Sequence, residues 1–187
     1  MALKSLKFEV LVWSSAYLAA FAVTFGLLVP LQNLAFPEFP SQASLLFLPQ
    51  GVRVLAAWLL GWRAIPALLP AIFLSFVYLA GWNVFGPVSL FCIAVSAMTA
   101  PVVFWFTTKT ICDLRPQAEN SAGWPCVMLA GTASAIISGF LMNYVRGSAP
   151  QDYVAYFIGD IAGMFFLMMI LMLFFRWQRQ RHPQPGE

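Results

Sequence analysis

The stretch PVSLFCIAVSAMTAPVVFWFTT, residues 87–108, contains no charged side chain. An α-helix needs about 20 consecutive, mostly apolar residues to cross the ~30 Å hydrocarbon core of a bilayer. This run meets that length, so it reads as a transmembrane helix, with Pro101 inside it. What flanks it completes the assignment. On one side, residues 81–86 form a short uncharged link. On the other, residues 109–123 make the most polar internal segment, carrying Lys109, Asp113, Arg115 and Glu119.

Five further stretches read the same way, over residues 9–29, 45–61, 64–80, 124–144 and 153–177. The chain is therefore expected to be all-α: a polytopic membrane helical bundle of six transmembrane helices. Residues 1–177 would form a single transmembrane domain, and residues 178–187 a short, polar, disordered cytoplasmic tail. The first run follows Lys4 and Lys7 in the manner of a signal peptide. Its apolar part is long and further spans follow, so an uncleaved first helix is the expectation. Residues 30–44 hold three prolines and Glu38 but no Lys or Arg, and read as an extended or interfacial loop. The second span is interrupted by Pro49-Gln50-Gly51. A tight turn at Gly61-Trp62-Arg63 leads to the third, which contains Pro66 and Pro70.

Composition agrees. Hydrophobic residues make up 61% of the chain and charged residues 9%, with a mean hydropathy of +0.80. Soluble domains carry about 25% charged residues because their surfaces face water. The net charge of +3 does not point to nucleic acid, because the basic residues sit at the ends of apolar runs. There they act as orientation signals. With the N-terminus inside, the cytoplasmic segments hold Lys4, Lys7, Arg63, Lys109, Arg115, Arg176, Arg179 and Arg181, whereas the external loops hold only Arg146. Eight against one places both termini in the cytoplasm. Trp82, Trp124 and Trp177 fall near the expected interfaces.

Two charges lie within apolar segments, where each is costly: Arg53 in the second span and Asp160 in the sixth. Counted from the outer ends of their spans, Arg53 is about 8 residues in, or ~12 Å, and Asp160 about 7 residues in, or ~10 Å. Opposite charges at matching depth suggest an ion pair. Such a pair either locks two helices together or lines a small outward-facing cavity for a ligand or a proton. Alternatively the two never meet, and Arg53 snorkels to the outer headgroups. Pro49 removes a backbone donor and Gly51 loosens the helix, leaving carbonyls that Gln50 and Arg53 could satisfy. That element reads either as a packing kink or as a polar pocket.

Gly131 and Gly139 on the fifth span, and Gly159 and Gly163 on the sixth, are spaced for close helix packing within the bundle or at a homodimer seam. Met164, Met168, Met169 and Met172 read as apolar bulk. Cys92 and Cys126 read as small thiols within apolar runs, and Cys112 has no C-x-x-C partner. The lone His182 lies in the polar tail. No metal site, cofactor or catalytic centre is expected: one carboxylate lies securely within a span, and no histidine does.

The stretch Phe47-Leu48-Pro49-Gln50-Gly51-Val52-Arg53, followed by Gly61-Trp62-Arg63, resembles the W-x-P-x-G element of MASE1-type integral membrane sensor domains. The Gly159-Asp160-x-x-Gly163 element resembles the G/W-x-D-x-x-G motif near the end of that family's domain. Order and distance agree over nearly the whole chain, although Phe47 stands where the family has tryptophan. The resemblance implies a bacterial inner-membrane sensor for signal transduction, with a receiving role for Pro49, Gly51 and Asp160. Such domains usually precede a cytoplasmic kinase, cyclase or phosphodiesterase. Only about ten polar residues follow the last span here, so the expectation is a signal-receiving module without an output domain, acting through a membrane or cytoplasmic protein partner, with a small ligand as its signal. The competing readings are a solute-binding subunit of an energy-coupling-factor transporter and a structural subunit of a larger membrane complex.

Overall fold

A computed structural model describes residues 2–35, 44–111, 124–147 and 150–181. All regular structure within them is helical: α1 (Ala2–Val23), a π turn (Thr24–Leu28), α2 (Val29–Ala35), α3 (Leu48–Leu60), α4 (Ala64–Ala80), α5 (Pro87–Thr110), α6 (Trp124–Arg146) and α7 (Pro150–Arg181). Five helical segments are long and apolar enough to cross a membrane. The second, Leu48–Phe85, is folded in two at Gly61 into α3 and α4.

Proline and glycine set most of the boundaries. Pro30 lacks an N–H, and its ring crowds the carbonyl of Gly26. The π turn over Thr24–Leu28 precedes it and widens the helix, so the chain continues helically to Ala35. The loop expected from residue 30 therefore begins no earlier than residue 36, and residues 36–43 lie outside the described segments. Pro49 does not interrupt a helix. It sits in the first turn of α3, where its missing N–H would have had no helical partner. Gly61, with φ +57°, ends α3, and Gly81, also at φ +57°, ends α4. Both occupy the left-handed region that glycine adopts without strain. At the far end α7 runs on to Arg181, so the expected tail is helical for its first four residues; residues 182–187 and the 112–123 segment are not described.

α3 is the inner element. Ten consecutive residues, Leu48–Ala57, are buried. Its Leu48, Val52 and Ala56 join Tyr17 of α1, Leu68 and Ile72 of α4 and Cys92 of α5 in one apolar cluster. Its Val54, Leu55 and Ala57 join Phe104 of α5, Val127 of α6, and Met164 and Met168 of α7 in a second. The outer helices turn Leu11, Leu27, Phe106, Phe140, Phe165 and Ile170 outward. An apolar surface of this kind suits lipid and is not found on soluble monomers. Within lipid no hydrophobic effect draws helices together, so close packing and hydrogen bonds carry the association. Ser14 Oγ donates to the Ala67 carbonyl at 2.8 Å, joining α1 to α4. At the same end, Arg63 pairs with Glu9 at 3.3 Å.

A polar seam between α3 and α7

Two glycines of α7 receive the chain as it leads into α3. The Phe47 N–H donates to the Gly159 carbonyl at 2.9 Å. A Cβ on Gly159 would strike the Ser44 carbonyl, and one on Gly163 would strike the backbone of Phe47 and Leu48. One turn further on, a Cβ at Gly51 would meet Leu167 at 2.8 Å and the Met164 backbone at 3.2 Å. Gly131 of α6 is close to Val54 and Met164, whereas Gly139 has nothing within 4 Å of a built Cβ. The four glycines read alike in sequence thus separate into three at close approaches and one in open space. The incoming segment is held from its other side as well, because the Leu45 N–H donates to Gln32 Oε1 at 2.8 Å.

These contacts fix the register. Phe47 lies beside Gly159 and Gly163, and Gly51 beside Met164 and Leu167, so α3 and α7 run parallel. Arg53 is then level with a point about seven residues beyond Asp160, or ~10 Å of helix rise. The equal depth read from span boundaries does not survive, because residues 44–47 are not helical and α7 begins at Pro150. Side chains on a helix lean toward its N-terminus, so Arg53 reaches back toward Asp160 and part of the offset is recovered.

Arg53 is 4% exposed, and its Nε donates to the Ser96 carbonyl of α5 at 2.9 Å. Asp160 keeps partial exposure. Each charge acts on the other. They do not touch, however: no contact within 4 Å joins Arg53 to Asp160, whereas Arg63 pairs with Glu9 at 3.3 Å. Gln50, one turn before Arg53, is fully buried. Its Nε2 donates to Ser134 Oγ at 3.4 Å, and Ser134 Oγ donates in turn to the Gly131 carbonyl at 2.8 Å. Gln50 Oε1 is buried without a hydrogen-bond partner.

Sequence reasoning missed Tyr17. It is 3% exposed and within electrostatic reach of both Arg53 and Asp160. The signal was present, since Trp13, Tyr17, Ala20 and Thr24 fall on one helical face and all four are at least partly buried. Cys92 is a buried free thiol, while Cys126, expected as a thiol in an apolar run, is disulfide-bonded. It lies in the first turn of α6, beside the polar loop rather than within the apolar helix. Arg115, His182 and Cys112 lie outside the described residues.

Chemically, the described residues offer a fixed cation and an unused neutral acceptor on α3 and a fixed anion on α7. Comparison with family models, with curated proteins and with solved structures returns no match.

Proposed function

We propose that this chain is a MASE1-like, signal-receiving module of a bacterial inner membrane, crossing it six times with both termini in the cytoplasm, and acting through a separate partner protein. The observation that carries the reading is Gln50 Oε1, an acceptor buried without a donor on the innermost helix, between two charges that do not touch. Helix packing alone gives no use for such a group, and a buried unpaired acceptor costs about 1–3 kcal/mol. A receiving site gives it one. The six-crossing count draws support from α3, whose 13 residues rise about 20 Å. The non-helical residues 44–47 lead into it and lengthen its reach toward the ~30 Å hydrocarbon thickness. Orientation rests on the eight-to-one basic asymmetry.

The test is crosslinking in native membranes followed by identification of the captured protein. A kinase, cyclase or phosphodiesterase joined through the 109–123 loop or the Arg176–Arg181 end is the expected result. Repeated recovery of the chain alone would overturn the reading, and capture of an ATPase pair would replace it with solute uptake.

A further inference from the structure

The turn between α3 and α4 carries Trp62, and Gly61 at φ +57° sets the angle at which the chain leaves α3. The Trp62 indole meets that of Trp105 on α5, with ring centroids 6.4 Å apart and planes at 55°. Each of the two residues is 50% exposed, so the pair packs on one side and is open on the other. Lys109 lies one turn beyond Trp105 on the same face of α5 and is exposed. Arg63, next to Trp62, is paired with Glu9, whereas no contact within 4 Å joins Lys109 to a carboxylate among the described residues.

The 24 residues of α5 rise about 36 Å, more than the ~30 Å hydrocarbon core, so its last turn reaches the headgroup layer. An indole and an ammonium offer hydrogen-bond donors and no acceptor. What suits them is a negatively charged group rich in acceptors, joined to an apolar body that can lie on the open indole faces. A phosphodiester carrying acyl chains has that form. A soluble phosphate lacks the apolar body, and a choline headgroup would bring a second cation toward Lys109. Marking the interface does not by itself call for a cation. At the other end of α4, Trp82 is 91% exposed, and residues 81–86 around it carry no charge.

We infer that Trp62, Trp105 and Lys109 form a binding site for one anionic phospholipid, its phosphate toward Lys109 and its acyl chains against the two indoles. The inference requires only that the bundle cross a membrane, and it stands apart from the signalling reading. Lys109 supplies the preference for negative charge, and the indole pair gives the lipid a fixed place to lie.

The experiment takes the full chain into mixed micelles holding phosphatidylglycerol and phosphatidylcholine in equal amounts, and native mass spectrometry identifies the lipid that stays bound. Phosphatidylglycerol is expected to be retained about fivefold over phosphatidylcholine. Lys109→Gln removes the charge from an exposed position and is expected to bring the ratio to about one. Trp62→Leu with Trp105→Leu keeps apolar bulk without the N–H donors and is expected to lower the ratio about twofold or more. Arg146→Gln, at the far end of α6, is expected to leave it unchanged. Should the tryptophan variant fail to fold, Lys109→Gln decides alone. No preference for phosphatidylglycerol, a preference that Lys109→Gln leaves intact, or an equal loss in Arg146→Gln would each overturn the inference. Displacement of the lipid by soluble glycerophosphate would overturn it as well, in favour of a site for free phosphate.

Discussion

A methyl group added at Gly163 would be pushed into backbone. The new Cβ would overlap the Phe47 carbonyl and stand 2.8 Å from the Leu48 nitrogen, where ordinary contacts fall at 3.4–4 Å. No rotamer change relieves this, so the lead-in to α3 must move by on the order of 1 Å away from α7. Overpacking of this kind costs about 1–3 kcal/mol. The same movement weakens the Phe47 N–H bond to Gly159, worth about 0.5–1.5 kcal/mol. Gly163→Ala is thus expected to lose about 2–4 kcal/mol overall. Gly139→Ala is the control. It has nothing within 4 Å of the new methyl, and alanine is the better helix former by about 0.5–1 kcal/mol. Equilibrium unfolding in mixed micelles, followed by tryptophan fluorescence, compares the two. Coincident midpoints would refute the claim that α7 holds the chain through close backbone contact.

The remaining predictions concern the charges and the topology. Arg53→Ala and Asp160→Ala should each reduce folded protein in membranes, and the double variant should recover part of the loss, with a coupling of about 0.5–2 kcal/mol; strictly additive losses would mean that the charges do not interact. Because Arg53 grips the main-chain oxygen of Ser96, Ser96→Ala should cost less than about 1 kcal/mol, and a loss as large as that of Arg53→Ala would show that the hydroxyl matters instead. Reporter fusions at the N-terminus, near Arg115 and after Arg181 should score cytoplasmic, and fusions near Glu38 or Gly147 external; an external score at Arg115 would overturn the six-crossing topology. Cys126 probes the same loop by redox state, since a disulfide persists on the oxidising side of the membrane. Alkylation of Cys126 in cells only after reduction would place that end of α6 on the oxidising side, against the proposed topology.

How far the fold was legible depended on what each residue could signal locally. The helix over residues 64–80 was readable at both ends, because Gly61-Trp62-Arg63 and Gly81 punctuate the chain where the glycines adopt positive φ. Pro30 and Pro49 misled for one shared reason. Proline marks strain in a helix interior but is accommodated beside a π turn or in a first turn, and only the neighbouring backbone shows which applies. The polar stretch after Trp177 read as a tail, yet Gln and Arg are good helix formers and α7 continues through them. The choice of Arg53, Asp160 and Gln50 came from the cost of polarity in apolar segments, which sequence displays directly. Their relative depth did not, because it depends on where the chain becomes helical.

The glycine notches that seat α3 belong to α7, the last helix in the described chain. A ribosome delivers α3 to the translocon long before those notches exist. α3 is also a poor candidate to partition into lipid by itself, being 13 residues long with an arginine near its middle. Its insertion therefore depends on α4, joined to it through Gly61, and its final seating waits until α7 has been made. Biogenesis then has a fixed order: an open vestibule of earlier helices, and a last helix that latches the centre. Premature termination after α6 would leave Arg53 exposed to quality-control proteases although nearly all of its neighbours had already been made.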